Sequence, residues 1–304
     1  METTEWNVVT GAFSYTGTYI ARKLLATGKN VRTLTNHPNR PDSFVGQVNV
    51  LPLNFQNPTE LAASLRGTTV LYNTYWIRFE HGGLTFDKAV ANTEILIQAA
   101  REAGIKRIVH ISVTNPSIKS PLPYFKGKAR VEEIIMRSGL TYAIIRPTVI
   151  FGLGDILINN IAWMLRHFPV FIIPGSGEYQ LQPVFAEDVA DMAIEAGDSD
   201  QNMVIDAVGP EIFTFYGLVN LIAEKIASNA MIFHLPPVVA LGLIRSMGYM
   251  VRDVVLTADE LKGLAANLLV SANPPTGKTR FSDWLERNAE KIGIKYSSEI
   301  KRHY

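Results

Sequence analysis

The chain has 304 residues, with 29 Lys+Arg against 28 Asp+Glu for a formal net charge of +1; it is 47% apolar and 19% charged. A charge content below the ~25% of an average domain excludes a disordered tail protein, and the charge balance excludes nucleic-acid binding through a general basic field. Because no cysteine occurs, disulfides, zinc ribbons, iron–sulfur clusters and thiol nucleophiles are excluded too.

The first half alternates strand-like and helix-like segments. A short apolar run at 7–10 ends in Gly11, and Ile20, Leu24 and Leu25 follow at helical spacing. Strands are predicted at 31–35, 48–51 and 69–72, with a helix at 59–65. A long helix is expected over 85–103, stopped by Gly104. A buried strand at 107–111, a helix at 126–137 and a strand at 142–145 complete the series. Continuous apolar strands separated by helices indicate a parallel sheet covered on both faces, a doubly wound α/β (Rossmann) fold.

After Pro147 the alternation stops. A helix is expected at 156–165, a strand at 182–185, a helix at 186–196, and a buried strand at 203–207 that rejoins the main sheet. The pattern sets a first, doubly wound domain at 1–174 and a smaller, interleaved, α-rich domain at 175–304. The apolar stretch 231–244, interrupted by Pro236 and Pro237, falls short of the ~18–20 residues of a spanning helix. It reads as a buried helix, with peripheral membrane contact as the alternative. No transmembrane segment is expected. Met1 to Trp6 lack the basic start of a secretory signal, so a cytoplasmic location is expected.

The segment Val9-Thr10-Gly11-Ala12-Phe13-Ser14-Tyr15-Thr16-Gly17 carries the strongest chemical signal. A strand, a glycine turn and a helix start form a phosphate cradle, since free backbone N–H groups and the helix dipole face the anion. Gly11 permits the tight turn and Gly17 close packing of helix on sheet. Ser14 occupies the middle position, where its hydroxyl either donates to a phosphate oxygen or crowds the pyrophosphate. Phe13, Ser14, Tyr15 and Thr16 are expected to contact the cofactor. After the second strand come Asn36, His37 and Arg40, with no acid before Asp42. Lack of an acid and presence of Arg40 point to the 2′-phosphate of NADP, with NAD as the alternative. The six histidines (His37, His81, His110, His167, His234 and His303) have no metal-ligand spacing, so no metal is expected.

Tyr124 and Lys128 form a Tyr-x-x-x-Lys pattern, of which Tyr19 and Lys23 make a second copy. Gly11 and Gly17, Asn92, Val109-His110-Ile111-Ser112, Tyr124 with Lys128, Arg146-Pro147-Thr148, Phe151-Gly152 and the run Val184 to Ala190 occur in one order. That order resembles the extended or atypical short-chain dehydrogenases/reductases, and within them the NmrA-like proteins and the nucleotide-binding accessory subunit of respiratory complex I. The resemblance implies Tyr124 as acid/base, Lys128 as its partner and holder of the nicotinamide ribose, and Asn54 beside Phe55 near the adenine. It also implies that Asn73, Thr74 and Tyr75 form a cofactor-facing turn, and that Pro147, Thr148 and Val149 lie at the nicotinamide end. The carbonyl-orienting position falls on Val113, flanked by Ser112 and Thr114, so Thr114 is the candidate substitute.

Phe151, Trp163, Tyr179 and Phe185 are candidate walls of an apolar substrate pocket. The expected activity is hydride transfer to or from a carbonyl/hydroxyl carbon of a small, mostly apolar substrate. Two alternatives stand beside it, a nucleotide-sugar epimerase or dehydratase and a non-catalytic NADP(H)-binding protein. No nucleic-acid partner is expected, and a homodimer is possible through the 85–103 helix and the helix of Tyr124.

Overall fold

A computed structural model describes residues 5–38, 44 and 46–303. The chain begins with β1 (Trp6–Thr10), α1 (Tyr15–Ala26), β2 (Asn30–Thr35), β3 (Val48–Pro52), α2 (Pro58–Leu65) and β4 (Thr68–Asn73). It continues with α3 (Phe86–Glu102), β5 (Arg107–Ile111), α4 (Pro123–Met136) and β6 (Thr141–Pro147). Next come β7 (Val149–Phe151), α5 (Leu157–His167), β8 (Val170–Pro174), β9 (Gln180–Leu181), β10 (Pro183–Phe185), α6 (Ala186–Gly197) and β11 (Met203–Ala207). The last elements are β12 (Phe213–Thr214), α7 (Phe215–Lys225), β13 (Met231–Leu235), α8 (Pro237–Val251), α9 (Ala258–Ala265), α10 (Phe281–Asn288) and α11 (Glu299–His303).

The main sheet has seven strands in the order β11-β6-β5-β4-β1-β2-β3, and β1 to β6 pair parallel. Strand order reverses between β1 and β4, the switch point outside whose carboxyl ends open α/β sheets bind ligands. Every residue of β5 is buried, as expected of a strand covered on both faces. Leu61 and Leu65 of α2, Leu96 of α3, and Val131 and Ile135 of α4 pack with Val8, Leu71, Ile108 and Ile144 of the sheet. Arg107, in this buried strand, donates from Nε to the carbonyl of Ala196 at 2.6 Å and from Nη2 to that of Gln201 at 2.9 Å, while its Nη1 is buried without a partner.

Two compact units result: Met1–Pro147 with Val189–Ile205, and Thr148–Asp188 with Asp206–Tyr304. The boundary at 174 is thereby corrected to Pro147. The reason is the second core, where Phe151, Ile158, Ile161, Leu165 and Phe171 pack with Leu218, Ile222, Phe281 and Trp284. β7, α5 and β8 bury their apolar faces there, while the chain from Val189 returns to the first unit. Two further differences follow local chemistry. Helix α4 begins at Pro123 rather than at 126, because Pro suits the first helical position. The stretch 231–244 is no buried helix: β13 pairs parallel with β8, and α8 starts only at Pro237, burying just Ala240 and Gly248. None of the described helices is long and apolar enough to cross a membrane.

Candidate dinucleotide site

Gly11 takes φ +69°, a conformation that favours glycine, and a Cβ at Gly17 would stand 2.1 Å from Gly11 O. The loop is fixed by its own bonds. Gly11 N donates to Leu34 O at 2.9 Å, Ser14 N to Gly11 O at 2.8 Å, and Ala12 N to Thr33 Oγ1 at 3.0 Å. Thr18 Oγ1 donates to Ser14 O at 2.6 Å and to Ala12 O at 3.0 Å. The Ser14 hydroxyl lies against both glycines, 3.3 Å from where a Cβ on Gly11 would be and 3.0 Å from one on Gly17. It makes no cap bond to α1, whose first turn carries no acidic residue. The first N–H groups of a helix lack intrahelical acceptors, so this start fits an anion such as a pyrophosphate. Tyr15 and Thr16 sit half-buried on that first turn, and half-buried Phe13 packs on Phe44 with ring centroids 6.1 Å apart.

Beside the loop, the end of β4 is wired to β1 and β5. Thr10 Oγ1 donates to Asn73 Oδ1 at 3.1 Å and accepts from the backbone of Thr74 at 2.8 Å and Tyr75 at 3.1 Å. Thr74 Oγ1 donates to Thr10 O. Asn73 Oδ1 is thus an acceptor, which makes its Nδ2 the donor to His110 Nδ1 at 3.1 Å. That assigns the His110 proton to Nε2, a buried atom with no partner. Burial, and next the charge of Lys128, hold His110 well below the ordinary histidine range. Tyr75 accepts from Asn92 Nδ2 at 2.8 Å and packs on Phe55, 4.9 Å between centroids. Asn54 Oδ1 accepts from Gln56 N at 3.0 Å. At the end of β2, Asn36 and His37 are exposed; Arg40 and Asp42 lie outside the described residues.

Tyr124 and Lys128 fall one turn apart on α4, hence on one face. Lys128 is buried and donates to Ile111 O at 2.8 Å, with its ammonium 4.8 Å from the centre of the Trp76 ring. Burial pushes its pKa down to about 7, against an opposing effect of Glu132. Trp76 also meets the half-buried Tyr124 edge-on at 6.1 Å, and a Cβ on Gly127 would come 2.8 Å from its Cη2. Glycine at 127 therefore lets the indole lie on α4 beside the pair.

Residues 11–152 match the NAD(P)H-binding family. Among known proteins the chain is similar to the mitochondrial NADH dehydrogenase [ubiquinone] 1 alpha subcomplex subunit 9 of Arabidopsis thaliana, 23% identical over 87% of this chain and 71% of that protein. It is 24% identical to the photosystem II assembly factor Ycf39 of Cyanidium caldarium, over 62% of this chain and 60% of the factor. Among solved structures, the triphenylmethane reductase of Citrobacter sp. superposes with TM-score 0.75 at 15% identity, covering 93% of this chain and 99% of the reductase. The likeness to the complex I accessory subunit, read from the motifs, is what these comparisons return.

At the end of β5 no hydroxyl is both exposed and unpaired. Val113 and Thr114 are buried, and Thr114 Oγ1 has no partner. Ser112 Oγ donates to Glu132 Oε1 at 2.5 Å, and Arg146 closes on the same carboxylate with Nε at 3.0 Å and a second bond at 2.5 Å. Pro147 ends β6, where its carbonyl accepts from Thr114 N at 2.9 Å. Thr148 and Val149 open the second unit, in which Thr148 Oγ1 donates to Gln182 O. Of the four expected pocket walls only Phe151 is core; Trp163, Tyr179 and Phe185 are half-buried. Phe151 is fully buried against Phe281 and Trp284, Tyr179 stacks on Phe215 and Trp163 on His167. Among the described residues no acidic and histidine cluster could hold a metal. The sequence pattern missed Trp76 as the cover of Lys128; the signal was Gly127, a residue costly inside a helix unless something packs on it.

Proposed function

We propose that the chain binds NADP(H) at the Gly11–Gly17 loop and acts as a reductase or dehydrogenase on the carbonyl/hydroxyl carbon of a small, mostly apolar substrate. The nicotinamide would supply or accept hydride. Gly11, Phe13, Ser14, Tyr15, Thr16 and Gly17 would hold the pyrophosphate, and Asn36 and Arg40 the adenosine ribose. Asn54, Phe55, Asn73, Thr74 and Tyr75 would line the adenosine side. Tyr124 would give its phenolic proton to the carbonyl oxygen, or take one in the reverse direction. Lys128 would stabilise the phenolate and hold the ribose hydroxyls. The observation that carries this reading is Lys128 itself, a buried lysine one turn after a half-buried tyrosine. Tyr124→Phe keeps the ring contacts with Trp76, Phe86 and Phe125. It is expected to bind NADPH as the parent does and to lose ~10²–10⁴ in the rate of NADPH oxidation by apolar ketones and quinones. Unchanged turnover in that variant would remove the mechanism.

One observation favours a second reading, binding without turnover. Val113 offers no hydroxyl, Ser112 is engaged with Glu132 and Thr114 is buried. A missing oxyanion donor costs ~10²–10³ in rate. NADPH that binds but is oxidised by none of those acceptors would establish this second reading. The proposal includes a homodimer through α3 and α4, since Glu94, Arg101, Arg130, Glu133 and Arg137 line the groove between them with charges able to pair across a two-fold axis.

A further inference from the structure

Helix α8 breaks the rule that an apolar helix is a buried one. Its outward side carries Val238 at 83% exposure, Tyr249 at 86% and Met250 at 61%, together with Val239 and Leu243. Met231 and Phe233, two apart on β13, extend the same exposed character along the adjacent strand. An apolar surface of this kind on a folded chain marks a place where something docks. The charges select the occupant. Residues 225–252 contain no Asp or Glu, while Arg245 stands on α8 and Arg252 at its end. Its 15 residues span ~22 Å, short of the ~30 Å of a bilayer core. A helix with exposed aliphatic and aromatic side chains, only basic charge and insufficient length to cross lies in the headgroup plane of an anionic bilayer.

We infer that α8 and β13 form a peripheral docking face for an anionic lipid bilayer, with Val238, Leu243 and Met250 entering the acyl boundary. Arg245 and Arg252 would pair with lipid phosphates. Attraction of each arginine to an anionic leaflet corresponds to about a fivefold gain in binding, so about 25-fold for both. The test is flotation of the full chain with vesicles of phosphatidylcholine plus phosphatidylglycerol, against vesicles of phosphatidylcholine alone. The oligomeric state is measured by light scattering in the same buffer. The chain is expected to float with the mixed vesicles, about 25-fold better than with the neutral ones, and to be released by high salt. Arg245→Gln/Arg252→Gln should lose that preference, and Val238→Glu/Leu243→Glu/Met250→Glu should lose flotation altogether. All five positions are at the surface, and both variants should keep the parent's Tm. Absence of flotation with mixed vesicles overturns the inference. Equal flotation of the triple glutamate variant overturns it too. A dimer that this variant converts to monomers, without flotation of the parent, would instead make the face an interface between copies.

Discussion

Replacing Gly17 by Ala adds one methyl at the tightest point of the loop. The new Cβ would lie 2.1 Å from Gly11 O, 2.8 Å from the Gly11 carbonyl carbon and 3.0 Å from Ser14 Oγ. Ordinary contact begins at 3.4 Å, so Gly11 and the first turn of α1 must separate by about 1.3 Å in a close-packed region. The loop has little freedom to yield, because Gly11 N, Ala12 N and Ser14 N are all bonded and Thr18 ties the helix back to Ala12 and Ser14. Overpacking of this kind costs ~1–3 kcal/mol, which lowers Tm by several degrees at about 2–4 °C per kcal/mol. The pyrophosphate would lose at least one charge-assisted bond worth ~1.5–3 kcal/mol, an affinity loss of about 10- to 150-fold. Titration of NADPH fluorescence and a thermal melt measure the two effects separately. Gly17→Ala that binds NADPH within about twofold of the parent, at unchanged Tm, would refute the placement of the cofactor at this loop.

Three further outcomes follow from buried groups. Lys128 has its pKa pushed down to about 7 from 10.5. Between those pH values the unfolded chain holds a proton that the folded chain has released, so this group makes stability rise with pH. Denaturation of Lys128→Met should show a gain over the parent at pH 7 that narrows towards pH 10; a gain that grows with pH would contradict the burial. Asp155 Oδ1 accepts from Ile158 N at 2.7 Å and Asn159 N at 3.3 Å in the first turn of α5 while its Oδ2 stays buried without a partner, and burial pushes its pKa up to about 7. Its contribution has the opposite sign: stability falls as pH rises from 3.8 to about 7. Asp155→Asn keeps an acceptor for those two N–H groups and should melt higher than the parent at pH 8, with the difference vanishing near pH 4. Trp76→Ala removes the ring over Lys128 and lets water reach the amine. The lysine pKa should then move up towards its ordinary value, read as a shift in the pH profile of NADPH oxidation.

How far the sequence spoke depended on the range of the forces involved. The sheet was legible because β5 is buried end to end and α3 closes on Gly104, both properties of a few adjacent residues. The loop was legible for the same reason: Gly11, Ser14 and Gly17 act on one another within a single turn. The unit boundary was not, since β7, α5 and β8 join a core completed by Phe281 and Trp284, more than a hundred residues on. The strand Met231–Leu235 was hidden as well. Its apolar run suits helix and strand alike, and pairing with Val170–Pro174 decides between them. At the candidate site, the Tyr124–Lys128 spacing was visible, while the network that supports it was not. The bond from Asn73 to His110, the indole over Lys128 and the closure of Arg146 on Glu132 each join residues from separate elements. Only the intervening Gly127 carried a local trace of them.

The most direct test of the dinucleotide assignment is a fluorescence titration of the full chain, stripped of bound nucleotide, with NADPH and separately with NADH. With no acid at Thr35-Asn36-His37 to read a free 2′-hydroxyl, saturable binding of NADPH is expected, at least about tenfold tighter than NADH. Tighter binding of NADH would contradict the choice of NADP. Saturation by neither would contradict the assignment of the Gly11–Gly17 loop as a dinucleotide site.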